Sequence, residues 1–163
     1  MWISLKIGMV KKFGGDLMVL RQAQMNEWEF IYSIAKKNGK LLGPVLPPEI
    51  RAHISKSSCL ICELNNEIVG FCLYTVLKKD STRLTINVIC VDEKSRGLHI
   101  ASSMVKYIQK QYNRDIRTTC IADSSSELFW ASIAKKVEEL PGKKRPICRY
   151  LIKANRRKLI NGI

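Results

Sequence analysis

Val91-Asp92-Glu93-Lys94-Ser95-Arg96-Gly97-Leu98-His99-Ile100-Ala101 joins an apolar run over 84–91 to an amphipathic run that begins at Ile100. The first run has the β-branched, apolar texture of a strand. In the second, Ile100, Ala101, Met104, Val105, Ile108 and Tyr112 recur at three- and four-residue steps, with Lys106, Gln109 and Lys110 between them. That spacing predicts a helix with one face on a sheet. A strand, a glycine turn and a helix start, in that order, form an anion site. The first turn of a helix has N–H groups without intrahelical partners, and the macrodipole adds a partial positive charge there. Gly97 lets the backbone come close to such a ligand.

Working outward, a strand at 116–122 follows the helix, so the strands 84–91 and 116–122 are joined through it. This predicts a parallel pair within a mixed sheet, with a ligand crevice where the carboxyl ends of the two strands part. Upstream, 17–21 reads as a short strand, and Asn26 caps a helix carrying Trp28, Ile31, Tyr32, Ile34 and Ala35 until Asn38-Gly39 ends it. Residues 41–48, with three prolines and Gly43, read as a loop, and Pro47-Pro48-Glu49 starts a second short helix through Ile50 and Ile54. Strands at 59–64 and 68–77 flank Asn65-Asn66 as a two-residue hairpin turn. Lys78-Lys79-Asp80-Ser81 turns the chain into the strand at 83–91. A helix over 124–136 and strands at 137–140 and 147–153 complete the order. Residues 1–10 read as an edge strand rather than a signal peptide, because Lys11-Lys12 follows where a small-residue cleavage site would stand.

The chain has 163 residues, of which 46% are hydrophobic and 26% charged, and no repeat or linker divides it. We expect one domain spanning 1–163, with a basic tail from about 154. No apolar stretch approaches the ~20 residues that span a bilayer, so no membrane partner is expected. The six cysteines Cys59, Cys62, Cys72, Cys90, Cys120 and Cys148 lie in apolar, strand-like runs and read as buried thiols in a reducing, cytoplasmic setting. Cys59-x-x-Cys62 has metal-ligand spacing but no second ligand pair, so no metal is expected. The net charge of +14 exceeds what one polyanionic cofactor requires. It concentrates at Lys143-Lys144-Arg145, Arg149 and Arg156-Arg157-Lys158, read either as a solvated face or as a footprint for nucleic acid.

At Arg96-Gly97-Leu98-His99-Ile100-Ala101 the chain resembles the acyl-CoA pyrophosphate loop of the GNAT N-acetyltransferase superfamily, whose pattern is Gln/Arg-x-x-Gly-x-Gly/Ala after a strand ending in Val. Arg96 matches the first position and Ala101 the last, while His99 replaces the middle glycine. A second segment, Asp123-Ser124-Ser125-Ser126-Glu127-Leu128-Phe129-Trp130-Ala131-Ser132-Ile133, resembles the family's helix after its fifth strand. There Trp130 stands where a tyrosine often protonates the leaving thiolate, and Ala134-Lys135 stand where Gly-Phe is usual. An indole has no titratable proton near neutral pH. The resemblance covers roughly 17–153. It implies an α/β (α+β) fold with a mixed, mostly antiparallel sheet of about six or seven strands and about four helices. It also implies acetyl-CoA, or another acyl-CoA, as cosubstrate and a small-molecule or protein amine as acceptor.

By this resemblance, Arg96, Gly97, Leu98, His99, Ile100, Ala101 and Ser102 hold the cofactor's pyrophosphate. Backbone groups of Ile89, Cys90 and Val91 bond its pantetheine arm, and an N–H there stabilises the oxyanion. The catalytic candidates are Asn87, the only polar side chain in the middle of the strand 84–91, and Asp123 and Ser124, whose simpler reading is as caps of the following helix. Glu63 is a candidate base through water or a strand-surface carboxylate, and His53 an acceptor-site or helix-face residue. Trp28, Tyr32, Phe129 and Trp130 read as core or as cleft lining. Three functions remain open: an N-acetyltransferase acting on a primary amine, a nucleic-acid-modifying enzyme of phage adenine-modifying type, and a non-catalytic CoA-binding module. Acetyl-CoA titration and the salt dependence of nucleic-acid binding separate them.

Overall fold

A computed structural model describes residues 8–79 and 82–155. Eight strands form one sheet in the order β1-β2-β3-β4-β5-β6-β8-β7. They are β1 (Met9–Phe13), β2 (Asp16–Gln22), β3 (Cys59–Leu64), β4 (Glu67–Val76), β5 (Arg83–Val91), β6 (Asp115–Ile121), β7 (Lys135–Leu140) and β8 (Ile147–Ile152). The helices are α1 (Trp28–Lys37), α2 (Gly39–Leu42), α3 (Pro47–Ser55), α4 (Ile100–Tyr112) and α5 (Ser125–Ile133). Every neighbouring pair is antiparallel except β5 and β6, which run parallel and are joined through α4. The mixed, mostly antiparallel architecture read from the sequence is therefore present, with eight strands rather than six or seven.

Two cores lie on the two faces of the sheet. One packs Ile100, Met104, Val105 and Ile108 of α4 and Trp130 of α5 against Leu60, Cys62, Cys72, Leu84 and Ile86. The other packs Ile31, Ile34 and Ala35 of α1 and Ile50 and Ile54 of α3 against Cys59, Ile61, Phe71 and Leu73. Strand alternation explains why Cys59 and Cys62 belong to different cores: three residues apart on a strand, their thiols point to opposite faces. The Cys-x-x-Cys spacing thus separates the two sulfurs instead of gathering them. Asn65 and Asn66 adopt the positive φ values, 51° and 68°, that a tight two-residue hairpin turn demands.

Several boundaries depart from the sequence reading. The chain enters α1 through a 3-10 turn at Met25–Glu27, where the Glu27 carboxylate accepts the Gln24 amide at 2.7 Å, so Asn26 is not the cap. The first two residues of the loop expected at 41–48 belong instead to the short helix α2, which Gly43 stops with a φ of 75°. The last helix ends at Ile133 rather than 136, because Lys135 and Lys136 pair with Leu151 and Tyr150 of β8. Tertiary strand pairing overrides local helical preference there. Of the edge strand expected at 1–10, only Met9 and Val10 fall in a described strand, and that strand continues through Lys11-Lys12 to Phe13. Residues 1–7, Asp80, Ser81 and the cationic Arg156, Arg157 and Lys158 lie outside the described residues.

Candidate active site

The site begins at a bulge. Leu73 of β4 opposes Val88 while Tyr74 opposes Ile86, which leaves Asn87 as an extra residue in β5. A bulge inverts the alternation of the strand beyond it. Ile86 belongs to the α4/α5 core, Val88 and Cys90 pack into the α1/α3 core, and Ile89 and Val91 return to the α4/α5 side. The parallel ladder between β5 and β6 covers only Arg83, Leu84 and Thr85 against Asp115, Ile116 and Arg117. The last tie across the pair is the Thr118 hydroxyl, which donates to the Ile86 carbonyl at 3.1 Å. Beyond it β6 continues beside β8 and β5 beside β4. The strands part there, and one edge of Ile89, Cys90 and Val91 faces a gap.

A cavity of about 520 Å³ fills that gap, a size that suits a small ligand or the arm of a larger one. Its walls are Ile89, Cys90 and Val91 of β5; Ser95, Arg96, Gly97, His99, Ile100, Ala101, Ser102 and Lys106 of the loop and α4; and Ser125, Ser126, Phe129, Trp130, Ser132 and Ile133 of α5. Asn38 and Leu42 reach it from the α1–α2 junction. Of the ten cofactor-binding positions read from the sequence, all but Leu98 line this cavity. Leu98 is exposed instead.

Local sequence explains the loop. Gly97 holds a φ of 82°, and a Cβ built there meets nothing within 4 Å, so its backbone conformation, not crowding by the protein, demands glycine. His99 holds a φ of 57°, the left-handed conformation that glycine adopts freely and histidine tolerates better than most residues. His99 is the N-cap of α4 but makes no side-chain cap bond, and the first helical bond runs from the Ser103 amide to the His99 carbonyl at 3.0 Å. The amides of Ile100, Ala101 and Ser102 precede it and have no intrahelical partner. No acidic residue stands in the first turn of α4. Three free amides, the helix dipole, Arg96 and Lys106 form an anion-binding concavity.

The opposite wall is chemically quiet. Trp130 is 3% exposed and stacks edge-on against Phe129, with ring centroids 4.9 Å apart. Burial pushes the Cys90 thiol up to about 11, so it is protonated near neutral pH. Among the described residues, no carboxylate lines the cavity. The three catalytic candidates also lie off its lining. The Asn87 side-chain oxygen accepts from the Thr75 hydroxyl at 2.8 Å. Ser124 is the N-cap of α5: its hydroxyl accepts the Glu127 amide at 3.2 Å and donates to the Ile121 carbonyl at 2.6 Å. Asp123, with a φ of 55°, gives its backbone amide to Glu127 at 2.6 Å but does not itself cap the helix. Glu63 is ion-paired with Arg21, and His53 Nδ1 lies 2.9 Å from the Ser58 hydroxyl. Neither lines the cavity. Asn38, Leu42 and Lys106 went unread as site residues. Lys106 sits on the polar side of the helical pattern, and the approach of Asn38 to a loop 58 positions away leaves no mark in local sequence.

A helix N-terminus opening between two parted strands, with Arg96 and Lys106 beside it, has the geometry and charge of an anion site. The family model for the acetyltransferase (GNAT) family matches residues 20–124, and the chain belongs to that family of N-acetyltransferases, which use acetyl-CoA. No curated protein matches the sequence. Solved structures share the fold at low identity. Ard1 from Thermoplasma volcanium is 18% identical with a TM-score of 0.71, over 83% of this chain and 96% of that one. The ribosomal-protein-S18-alanine N-acetyltransferase from Escherichia coli is 7% identical with a TM-score of 0.70, over 90% and 99%. N-acetylglutamate synthase from Neisseria gonorrhoeae, solved with coenzyme A and N-acetyl-glutamate, is 14% identical with a TM-score of 0.68, over 86% of this chain and 36% of that one.

Proposed function

We propose that this protein binds acetyl-CoA with its pyrophosphate on the backbone of residues 96–102 and its pantetheine arm along Ile89, Cys90 and Val91, and moves the acetyl group to a primary amine. The observation that carries this reading is the uncapped first turn of α4 at the mouth of the gap between β5 and β6. In the reaction the neutral amine attacks the thioester carbonyl, the C–N bond forms, the C–S bond breaks, and the thiolate leaves to be protonated. A backbone N–H at the open edge of β5 stabilises the oxyanion. The ammonium gives its proton to water, the leaving thiolate takes one from water, and catalysis rests on positioning and on the oxyanion contact. Asn87, exposed at the bulge, is our candidate for orienting the acceptor. Incubation with acetyl-CoA and separate pools of peptides, polyamines and nucleic acids, read by mass gain of one acetyl group, tests the assignment. No acetylated product from any pool, with the cofactor bound, contradicts the transfer step.

The charge supports a second reading, in which the acceptor is carried on nucleic acid. Lys143, Lys144 and Arg145 sit in the β7–β8 turn, which adjoins the end of β6 through the Ala122 amide bonded to the Pro146 carbonyl at 2.9 Å. Binding of this kind releases counterions, so its affinity falls linearly with salt on a log–log plot. Replacing the three cations with alanine then shallows the slope. An absence of DNA or RNA binding at low salt removes this reading and leaves a peptide or small amine. Five of the six thiols are buried and Cys120, expected buried, is only partly so; the five fit a reducing, cytoplasmic setting.

A further inference from the structure

We propose that Asn38 is a positioning residue for the cofactor loop and that it acts through Arg96; the proposal rests on the acetyl-CoA reading above. Asn38 stands between α1 and α2 and is 8% exposed, so its amide needs partners on both sides. Its Nδ2 donates to the Ile34 carbonyl at 2.9 Å, which fixes the amide against the end of α1. Its Oδ1 accepts from Arg96 Nη2 at 2.6 Å, a short, charge-assisted bond between residues 58 positions apart. Arg96 Nε donates to the Val91 carbonyl at 3.2 Å. The guanidinium is thereby buckled between the end of β5 and the helical layer on the other face of the sheet.

The loop depends on this buckle. Arg96 immediately precedes Gly97 and His99, both in the left-handed region, and residues 96–99 are all exposed. Among the described residues, Arg96 is the only one of these four whose side chain bonds to the protein. The free amides of α4 bind an anion well only if they are held in place before it arrives. The chemistry of the partner also matters. Asn38 is neutral, so it fixes the guanidinium without cancelling the charge that faces the cavity, whereas a carboxylate at this position would cancel it.

A double-mutant cycle on acetyl-CoA affinity, measured by calorimetry, tests the proposal. Asn38→Ala raises the Kd about tenfold, ~1.4 kcal/mol, because the loop must then be ordered at the moment of binding. Arg96→Ala raises it at least as much. In the Arg96→Ala background, Asn38→Ala adds less than about twofold, because the group it positions is gone. Arg96→Gln, which keeps a donor for Asn38 and leaves the buried residue untouched, recovers part of the affinity. A purely structural Asn38 gives a different pattern: the melting temperature falls while the Kd stays within about twofold, or the loss is the same with and without Arg96. Either result overturns the proposal while leaving the cofactor reading intact. Failure of the unaltered protein to bind acetyl-CoA overturns both.

Discussion

The two walls of the cavity are built from different materials. The wall formed by residues 96–102 is backbone: two left-handed residues, Gly97 and His99, and three amides with no intrahelical partner. The wall formed by α5 is side chain, namely serine hydroxyls, Phe129, Trp130 and Ile133, with no group that titrates near neutral pH. The difference separates binding from chemistry. In the proposed function, affinity for the cofactor's phosphates rests on chain geometry, and His99 is accommodated in the left-handed turn. Proton transfer requires a particular side chain at a particular place, and the α5 wall supplies none.

The largest expected effect breaks the backbone wall. Gly97→Val forces a β-branched residue to a φ of 82° at a cost of ~1–3 kcal/mol, so the Kd for acetyl-CoA rises tenfold or more. Calorimetric titration reads this directly. An unchanged Kd would show that the left-handed turn does not shape the site.

A smaller effect separates a cap from a catalyst. Ser124→Ala removes the N-cap of α5 and costs ~1 kcal/mol, a fall of roughly 2–4 °C in melting temperature, while turnover changes little. Loss of turnover with an unchanged melting temperature would return Ser124 to the chemistry. Smaller again on the cofactor is Trp130→Phe, which leaves a gap in a buried position and lowers stability by ~1 kcal/mol but changes the Kd by less than about threefold. A loss of affinity equal to that of Gly97→Val would make the indole a ligand rather than packing.

How much of this was legible in the sequence follows from what each feature depends on. The strand, turn and helix of 84–112 are local: apolar, β-branched texture gives the strand, the 3.6-residue period gives the helix, and the connection through that helix gives the parallel pairing. The loop was readable because its demands on backbone conformation are met by residues adjacent in the chain. The bulge at Asn87 was not, since it exists only as a mismatch of register between β4 and β5. Nor was the end of α5, where pairing of Lys135 and Lys136 with β8 decides the boundary. Asn38 read simply as a helix end, and its second role depends on a contact made only in the folded chain.

The gentlest test concerns what fastens the α5 wall. The Glu127 carboxylate is held at about 2, below its ordinary 4.5, first by the Asp123 amide and then by Cys148, Lys136 and Tyr150, with partial burial opposing them. A carboxylate whose pKa is lowered by folding contributes stability that is present above about pH 4.5 and is lost as the pH falls toward about 2. Glu127→Gln therefore flattens the acid limb of the stability curve in that window. A limb of unchanged steepness would mean that other carboxylates set it.

The central claim is that the backbone of α4 and its loop recognise the phosphate-bearing half of the cofactor, and it is tested most directly by comparing acetyl-CoA with acetyl-pantetheine, which lacks the phosphates and the adenosine. Calorimetric titration of both against the unaltered protein is expected to show acetyl-CoA binding at least about a hundredfold tighter. Equal affinity for the two, or no heat from acetyl-CoA at about 1 mM, contradicts the account.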